Sequence, residues 1–319
     1  MRVLLTGAAG FVGSNLYRRC LEEGMDVWGV DDLSNGHLKF LPKRAPHALI
    51  VRDFSSDTII GKIKQQEFDV VLHIAAVPRV GFSVEHPILT NDVNVTRTLK
   101  LLEACRGNVK RVIFASSSSV YGGAEQLPTP ETAPMNPKSP YALQKLIIEQ
   151  YLKLWYDLYG MDSACLRFFN VFGPNQLGNS PYATAVSAWL SAIKLGKPMR
   201  SDGDGTQSRD LCYVDNVVDC CIRAAKHSGD LRAQAFNVAC GERTSNNEVM
   251  ELLLKRYSNA KKIDAPWRLG DVMHTQADIT KARDILGYTP LVKVWDGIER
   301  TIEWVERNEI LIKSLRQSV

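Results

Sequence analysis

The chain has 319 residues, a hydrophobic share of 45%, a charged share of 23% and a formal net charge of +4. A chain of this length can bury a sizeable core in one large domain or two, and its composition is that of an ordinary water-soluble protein. The small net charge, together with the lack of a Lys/Arg stripe on any predicted helix, argues against nucleic acid as a partner.

The sequence carries no sign of export or membrane insertion. Residues 1–7 are typical of a strand that runs into a loop rather than of a signal peptide, and no apolar stretch is long enough to span a membrane. The seven cysteines are odd in number and include no C-x-x-C pair, as expected for buried thiols in a reducing compartment. We therefore predict a cytoplasmic protein without a metal site or a membrane partner.

The first predicted unit is a strand, a glycine-rich turn and a helix. The apolar residues 2–5 are followed by three glycines, Gly7, Gly10 and Gly13. Gly24 lies where the helix is expected to end. Glycines permit close backbone approach, and a helix N-terminus offers unbonded N–H groups to a pyrophosphate. The unit therefore predicts a dinucleotide site, although the spacing is G-x-x-G-x-x-G rather than the commoner G-x-G-x-x-G.

The second predicted strand, residues 25–31, ends on Asp31. A carboxylate at this place can accept both hydroxyls of an adenosine ribose, and it repels a 2′-phosphate. Because no Arg follows closely, the pattern favours NAD over NADP. A solvated loop acid is the alternative interpretation of Asp31.

Three further predicted strands alternate with helices. The strands are expected at 48–52, 68–74 and 111–115, and the helices near 58–66 and 87–105. This alternation indicates a parallel sheet with ligands outside the carboxyl ends of its strands. Small side chains at Ala75 and Ala76 would let a flat cofactor pass close to the backbone. His73 has no acidic or Cys partner nearby, and we interpret it as a packing or hydrogen-bonding residue.

The stretch 139–145 carries the candidate catalytic residues. Pro140 suits the first position of a helix, so Tyr141 and Lys145, four residues apart, would share one helix face. A cation beside a phenol lowers a pKa that is otherwise near ~10 and makes the phenol a base. A serine at the end of the preceding strand would bridge the substrate and the phenolate. Spacing alone does not choose among the four serines 116–119.

After Gly173 the regular alternation of strands and helices is lost. Helices are expected at 184–195, 245–256, 280–286 and 295–307, with a return to the sheet near 212–240. We predict an α/β protein in which a Rossmann-type, doubly wound parallel sheet carries a smaller mixed α/β substrate-binding domain. The cofactor domain would comprise 1–172 with the return near 212–240, and the substrate domain 173–211 and 241–319.

Eight motifs extend over nearly the whole chain. They are Thr6–Ser14, Asp31–Gly36, His73–Ala76, Ser116–Gly122, Ser139–Lys145, Leu166–Gly173, Ser208–Asp210 and Arg268–Asp271. Taken together they resemble those of the extended short-chain dehydrogenase/reductase family, and within it the NDP-sugar 4-epimerases of the UDP-glucose/UDP-N-acetylglucosamine type. The resemblance implies an isomerase that uses bound NAD and inverts C4 of a UDP-sugar through a transient 4-keto sugar.

The resemblance also assigns catalytic and cofactor-binding residues. Ser117 and Tyr141 would move the proton of the sugar 4-OH, and Lys145 would keep Tyr141 acidic and bond the nicotinamide ribose. Asp53 would contact the adenine, Phe169 would lie beside the nicotinamide, and Asn94 would be either a structural or a cofactor-side residue. The full set of implied cofactor contacts is Gly7, Gly10, Phe11, Val12, Gly13, Asp31, Asp32, Asn35, Gly36, Asp53, Phe54, Ile74, Ala75, Ala76, Asn94, Ser116, Tyr141, Lys145 and Phe169.

Substrate contacts are implied mainly in the second half. Arg209 and Arg268 would bind the diphosphate through their guanidinium forks, with surface salt bridges as the alternative for each. Val186, Met199 and Arg200 would lie near the uridine. The full set is Ser117, Tyr141, Asn170, Val186, Met199, Arg200, Arg209, Arg268, Asp271 and Thr275.

One motif departs from the family pattern. The helix signature Asn-Val-x-Gly-Thr appears here as Asn94-Val-Thr-Arg-Thr98, so that Arg97 stands where glycine is usual. We expect this difference to affect the local helix packing rather than the chemistry.

Two serines and one threonine bear on the choice of reaction and sugar. Related dehydratases carry Asp-Glu directly before Val-Tyr-Gly, where this chain has Ser118 and Ser119, which cannot supply the carboxylate that elimination needs. In related epimerases the residue at the position of Thr275 helps to gate the pocket for the sugar 2-substituent, and the resemblance implies that threonine leaves room there for an N-acetyl group. We therefore favour UDP-GlcNAc/UDP-GalNAc, alone or together with UDP-Glc/UDP-Gal.

Several alternatives stay open at this point. A 4,6-dehydratase, a C4 reductase or a UDP-glucuronate-type epimerase would share the first steps. A non-catalytic NAD(H)-binding sensor is possible on this fold, but it is disfavoured because Ser117, Tyr141 and Lys145 are all present. The family usually forms homodimers by pairing two helices, here 87–105 and 141–158. Leu99, Leu102, Leu152 and Trp155 would line that interface or be buried within one subunit.

Overall fold

The protein is built on 13 strands in this computed structural model, which describes residues 1–43, 47, 49–78, 80–178, 183–267 and 272–308. In chain order the strands are β1 (Arg2–Thr6), β2 (Asp26–Asp31), β3 (Ile50–Val51), β4 (Val70–His73), β5 (Arg111–Ser117), β6 (Ser163–Phe168), β7 (Asn170–Phe172), β8 (Met199–Asp202), β9 (Ser208–Arg209), β10 (Leu211–Tyr213), β11 (Gln234–Val238), β12 (Thr244–Ser245) and β13 (Lys262–Ala265).

Seven of these strands form one parallel sheet in the order β11-β6-β5-β4-β1-β2-β3. The order reverses between β1 and β4, the crevice where doubly wound sheets bind ligands. Leu4, Val71 and Ile113 in the central strands are fully buried, as expected where helices cover both faces of a parallel sheet. The predicted fold class is confirmed, including the late return of the chain as β11.

Helices cover both faces of this sheet, and other helices pack in the second half of the chain. In chain order they are α1 (Phe11–Glu22), α2 (Asp57–Lys64), α3 (Val80–Glu85), α4 (Pro87–Asn91), α5 (Thr98–Cys105), α6 (Pro140–Tyr159), α7 (Ala185–Lys194), α8 (Val214–Lys226), α9 (Asn246–Arg256), α10 (Thr280–Leu286) and α11 (Val294–Arg307). Because side chains alternate along a strand, Leu5 packs under α1 and α8, whereas Leu4 packs under α2, α5 and α6. No helix within the described ranges combines the length and apolar character needed to cross a membrane.

The second half adds a separate apolar core. Phe172, Trp189 and Ile298 pack there among residues of α7, α9 and α11. Three two-stranded sheets, β7–β10, β8–β13 and β9–β12, accompany this core. The division into a cofactor domain and a substrate domain at the boundaries given above stays a prediction.

The structure refines two predicted elements. The strand expected at 48–52 is reduced to Ile50–Val51. The helix expected at 87–105 is interrupted by a π turn, Asp92–Arg97, between α4 and α5. Such wide turns are rare, and they occur often at functional sites.

Candidate active site

The glycine turn after β1 leaves no space for side chains. A Cβ atom on Gly13 would lie 1.9 Å from the carbonyl oxygen of Gly7. One on Gly7, whose φ of +71° already favours glycine, would lie 2.8 Å from the amide nitrogen of Ala75. Gly10 is the N-cap residue of α1. The positive end of the helix dipole thus meets a cradle of bare backbone, which suits a pyrophosphate.

Asp31 is held firmly at the end of β2. Its Oδ2 accepts the N–H of Ala9 at 2.9 Å, and its Oδ1 accepts the N–H of Leu33 at 2.8 Å. Burial raises the pKa of the Asp31 carboxyl above its ordinary value, and these N–H groups oppose the rise. Because a carboxylate has about four acceptor positions, both oxygens can still accept a ribose hydroxyl.

The neighbouring predicted contacts differ in exposure. Gly36 packs against Asp31, since a Cβ there would lie 2.7 Å from Asp31 Oδ1. Asp32 and Asn35 are exposed on the same loop. Phe11 and Val12 at the start of α1 are partly buried against the sheet core.

Asp53 follows β3 and is bonded on both oxygens. Its Oδ1 accepts the N–H and the hydroxyl of Ser55 at 2.7 and 2.6 Å, and its Oδ2 accepts Nη1 of Arg97 at 2.6 Å. The adjacent Phe54 is buried, with its ring 4.9 Å from that of His73. The acceptor positions that remain on Asp53 are those available for the predicted adenine contact.

His73 is a structural residue, as predicted. Its ring nitrogens lie 2.7 Å from the hydroxyl of Thr6 and 3.0 Å from that of Thr98. Burial lowers the pKa of His73 to about 3, so the ring is neutral at physiological pH. Ile74, Ala75 and Ala76 continue from it as a partly exposed loop.

Asn94 ties this loop to the catalytic helix. Its side-chain oxygen accepts the N–H of Val77 at 2.8 Å, and its amide donates to the carbonyl of Val77 at 3.1 Å and to Gln144 Oε1 at 2.9 Å. The side chain is almost fully buried. Of the two roles predicted for Asn94, these bonds favour the structural one.

Tyr141 and Lys145 lie at the start of α6. Pro140 occupies the first turn, and the Ser139 hydroxyl accepts the N–H of Ala142 at 3.2 Å as an N-cap. The N–H of Tyr141 donates to the hydroxyl of Ser83 at 3.0 Å. Lys145 Nζ lies 5.8 Å from the centre of the Tyr141 ring, which places the two side chains on one face as predicted.

Lys145 is buried beside β5. Its Nζ donates to the carbonyl oxygen of Ala115 at 2.7 Å and lies 4.6 Å from the centre of the Phe114 ring. Burial lowers the pKa of Lys145 to about 7, while the nearby charge of Glu149 opposes the shift. The ammonium is thus aimed at the carboxyl end of β5, where the serines lie.

The structure distinguishes among the serines. The Ser116 hydroxyl is buried and donates to Glu149 Oε1 at 2.5 Å, so its proton is already bonded, and the cofactor contact predicted for Ser116 stays a prediction. Ser117 is partly exposed, and its hydroxyl oxygen accepts the N–H and the hydroxyl of Ser119 at 3.2 and 2.9 Å. With its oxygen so occupied, the Ser117 hydroxyl is oriented to donate elsewhere.

A buried ion pair behind Lys145 did not emerge from the sequence. Arg167 Nη2 lies 2.6 Å from Glu149 Oε2, and Arg167 Nη1 donates to the Tyr121 hydroxyl at 2.8 Å. Glu149 lies one helical turn after Lys145, and this spacing was the only signal available. The network fixes the faces of α6 and β6 that flank the site.

The substrate side centres on Asn170, Thr275 and Asp210. The Thr275 hydroxyl lies 3.4 Å from Asn170 Oδ1 and accepts the N–H of Asp210 at 3.3 Å. Asp210, to which no role was assigned from the sequence, is fully buried and accepts the N–H groups of Cys240, Gly241 and Ala277. Burial raises the pKa of Asp210 to about 7.

Other predicted substrate and cofactor residues are more scattered. Nη1 of Arg209 donates to the carbonyls of Ser208 and Met273 at 3.0 and 3.1 Å. Phe169 is buried, with its ring 6.4 Å from that of Tyr121. Arg200 is exposed and paired with Asp202 at 2.6 Å. The predicted contacts Arg268 and Asp271 lie outside the described residues.

Two predicted uridine contacts lie in the core of the second half. Val186 on α7 and Met199 on β8 are buried there. Their contact with the uridine stays a prediction.

Known proteins are similar to this chain in sequence and fold. Residues 3–239 match the NAD dependent epimerase/dehydratase family. The chain is 36% identical over 312 residues to UDP-glucose 4-epimerase of Mycolicibacterium smegmatis, covering 95% of this chain and 98% of the relative.

Two solved structures share the fold. UDP-glucose 4-epimerase with UDP-glucose from Thermotoga maritima has a TM-score of 0.90 at 32% identity, over 97% of this chain and 100% of that chain. UDP-N-acetylglucosamine 4-epimerase from Methanobrevibacter ruminantium M1, in complex with UDP-N-acetylmuramic acid, has a TM-score of 0.89 at 35% identity, over 96% of this chain and 98% of that chain.

Proposed function

The chain belongs to the NAD-dependent epimerase/dehydratase family, and from that premise we propose that Tyr141, Lys145 and Ser117 invert C4 of a UDP-hexose. It is a nucleotide-sugar 4-epimerase, an isomerase that uses NAD. The observation that carries the proposed roles is the shared helix face of Tyr141 and Lys145, with the Lys145 ammonium held on the backbone of β5. That strand ends at Ser117.

The cofactor site fits NAD. The glycine turn leaves bare backbone where the pyrophosphate would lie, and the carboxylate of Asp31 would bind the adenosine ribose and disfavour a 2′-phosphate. When bound there, NAD would supply the hydride acceptor and donor that oxidation and re-reduction at C4 of the sugar require.

The residues of the chain supply the proton transfer. Tyr141, as the phenolate, would take the proton of the sugar 4-OH through the hydroxyl of Ser117. The Lys145 ammonium would stabilise the phenolate by its charge. The N–H of Ser119 would hold Ser117 in place for this step, and the sugar 4-OH would take the position on the Ser117 oxygen that the Ser119 hydroxyl occupies here.

Epimerisation is favoured over elimination at this site. Removal of water from the 4-keto sugar requires an additional acid and base close to the sugar. Ser118 and Ser119 occupy the positions next to Val120, and the Ser119 hydroxyl is bonded to Ser117. With no carboxylate at either position, rotation of the keto sugar and return of the hydride is the simplest completion.

The substrate would lie between the catalytic helix and the second half of the chain. Arg209 and Arg268 would bind the diphosphate, Asn170 the sugar side and Arg200 the uridine side. The small Thr275 side chain, directed at Asn170, supports a pocket that accepts an N-acetyl group at C2. We therefore favour UDP-GlcNAc/UDP-GalNAc, with UDP-Glc/UDP-Gal as additional substrates.

A homodimer formed through the helical segments 87–105, which contain α4 and α5, and 141–158 of α6 is also part of the proposal. Leu102 and Leu152, named from the sequence as candidate interface residues, are instead fully buried in the sheet core. The exposed apolar residues on these helices are Ile88, Leu89, Leu143, Leu154 and Leu158. A face of this kind supports pairing with a second copy.

Product analysis by NMR tests the proposed function. The protein is incubated separately with UDP-GlcNAc, UDP-Glc and UDP-GlcA, without added NAD. Conversion of UDP-GlcNAc to its galacto isomer is expected, whereas a 4-keto-6-deoxy product would establish a dehydratase. No conversion of any of the three would contradict a UDP-sugar 4-epimerase of this type.

The sugar preference is tested with Thr275→Tyr. The larger side chain should lower the rate ratio of UDP-GlcNAc to UDP-Glc by roughly tenfold, because it crowds the 2-substituent. Thr206→Tyr, in an exposed loop, is the matched control and should leave the ratio unchanged. An unchanged ratio in Thr275→Tyr would remove Thr275 from the pocket.

A further inference from the structure

Arg97, the residue that departs from the family pattern, is held by two carboxylates. It ends the π turn between α4 and α5. Its Nη1 lies 2.6 Å from Asp53 Oδ2, and its Nε and Nη2 lie 2.8 and 2.7 Å from Asp92 Oδ2. Because the two acids bond different nitrogens of one planar group, they fix the orientation of the guanidinium plane.

The order of the strand ends gives the position of Arg97 relative to the cofactor. The turn after β1 suits the pyrophosphate, and Asp31 at the end of β2 suits the ribose. Val51 of β3 is the register partner of Asp31, and Asp53 follows two residues later. A dinucleotide that leaves the β1 turn and crosses β2 therefore reaches β3 with its base, beside Asp53 and Arg97.

The Arg97 side chain remains accessible although it is paired. It is 37% exposed, and its partner Asp53 is 28% exposed. A guanidinium whose edges are bonded to carboxylates still presents a flat, weakly hydrated face, and such faces stack on aromatic rings. The glycine that the family resemblance leads us to expect at this position would offer no such face.

We propose that Arg97 is a cofactor-binding residue whose guanidinium plane, fixed by Asp53 and Asp92, stacks on the adenine of NAD and retains the cofactor between turnovers. This inference rests on the proposed function, since it takes Asp31 and Asp53 as the adenosine end of an NAD site. It gives the substitution of glycine by arginine a role in cofactor affinity rather than in helix packing alone.

Direct binding measurements on nucleotide-free protein test the proposal. Three probes are used: NAD, ADP-ribose and UDP. ADP-ribose carries the adenosine end of NAD without the nicotinamide, and UDP is expected to bind outside the NAD site. Arg97→Met should raise the dissociation constants of NAD and ADP-ribose by about tenfold, the effect expected for loss of one partly exposed cation–π contact. UDP binding should be unchanged.

Two further variants make the test specific. Arg97→Lys keeps the charge but loses the plane, so it should bind NAD almost as weakly as Arg97→Met. Lys100→Met removes an equal charge one turn along the same helix, where Lys100 pairs with the exposed Asp57 at 3.1 Å. This control should bind NAD like the wild type.

The outcomes separate this inference from the proposed function. Wild-type affinity for NAD in Arg97→Met, or full rescue by Arg97→Lys, would overturn the stacking role of Arg97 and leave the epimerase proposal intact. Loss of UDP binding in Arg97→Met would mean that this variant does not fold correctly. The test then rests on Arg97→Lys: if that variant binds UDP normally and binds NAD as tightly as the wild type, the proposal is overturned. If the wild type binds no NAD at all, the proposed function fails and this inference falls with it.

Discussion

The catalytic helix and the substrate-facing second half hold their functional residues in opposite ways. Tyr141 and Lys145 are buried, and each is bonded to another element, through Ser83 and the carbonyl of Ala115. Arg200 has a side chain that is 56% exposed and pairs with Asp202, two residues away on the same short strand. The residues proposed for proton transfer are thus fixed by the central sheet, while Arg200, a proposed substrate contact, lies on a small peripheral strand.

The rigid side of this comparison contains a buried carboxylate, Glu149, whose two oxygens are both bonded. Glu149 accepts bonds from Ser116 and Arg167 in a buried setting directly behind Lys145. In a low-dielectric interior an unpaired partner would be strongly destabilising. We infer that the buried network holds α6 against the sheet. Substitutions at Tyr141 and Lys145, the catalytic face, should therefore change the rate of the chemical step. Substitutions at Arg200 and Arg209, the peripheral face, should change the affinity for the substrate.

The largest expected effect is on the catalytic face. Tyr141→Phe removes the hydroxyl that transfers the proton, and turnover should fall by about 10³–10⁴-fold, as measured by NMR of the product. NAD should stay bound in this variant. Tyr151→Phe, on the same helix but with its ring packed on Trp155, is the matched control and should retain activity. Unchanged turnover in Tyr141→Phe would contradict the proposed mechanism.

On the peripheral face the expected effect is smaller and falls on binding. Arg209→Met removes a proposed charge-assisted bond to the diphosphate, so KM for the UDP-sugar should rise about 10- to 100-fold with little change in kcat. Arg283→Met, which breaks only an exposed pair with Asp284 at 3.0 Å, should leave KM unchanged. A loss confined to kcat in Arg209→Met would show that the two faces are not separable in this way.

The sequence was most informative where the determinants are local. The order of strand, glycine turn and helix fixed the region around Gly7, Gly10 and Gly13, and helical spacing placed Tyr141 beside Lys145. Both depend on backbone geometry within a few residues, which the residue types constrain directly. The parallel sheet followed from the alternation of strands and helices.

What the sequence could not resolve depends on contacts between distant segments. Which of the four serines faces the cleft is decided by Glu149, which bonds the Ser116 hydroxyl across 33 positions. Val186 was predicted to line the uridine site, and its burial depends on a core that includes Val249 and Ile298, far along the chain. The pairing of Arg97 with Asp53 likewise joins residues 44 positions apart.

The smallest predicted effect concerns the pH dependence of stability that the burial of Lys145 causes. Burial lowers the pKa of Lys145 to about 7, whereas an unfolded lysine titrates near ~10. Between those values the unfolded chain binds a proton that the folded chain lacks, so wild-type stability should rise with pH relative to Lys145→Met. The wild-type minus variant difference in unfolding free energy, from urea unfolding of nucleotide-free protein, should increase by about 1–2 kcal/mol from pH 7 to 9. Lys153→Met, on the exposed face of α6 beside Asp157, should show no such increase. If the wild-type minus Lys145→Met difference in unfolding free energy does not change between pH 7 and 9, the Lys145 ammonium keeps its proton throughout this range. Burial would then not carry the desolvation cost that lowers the pKa of Lys145.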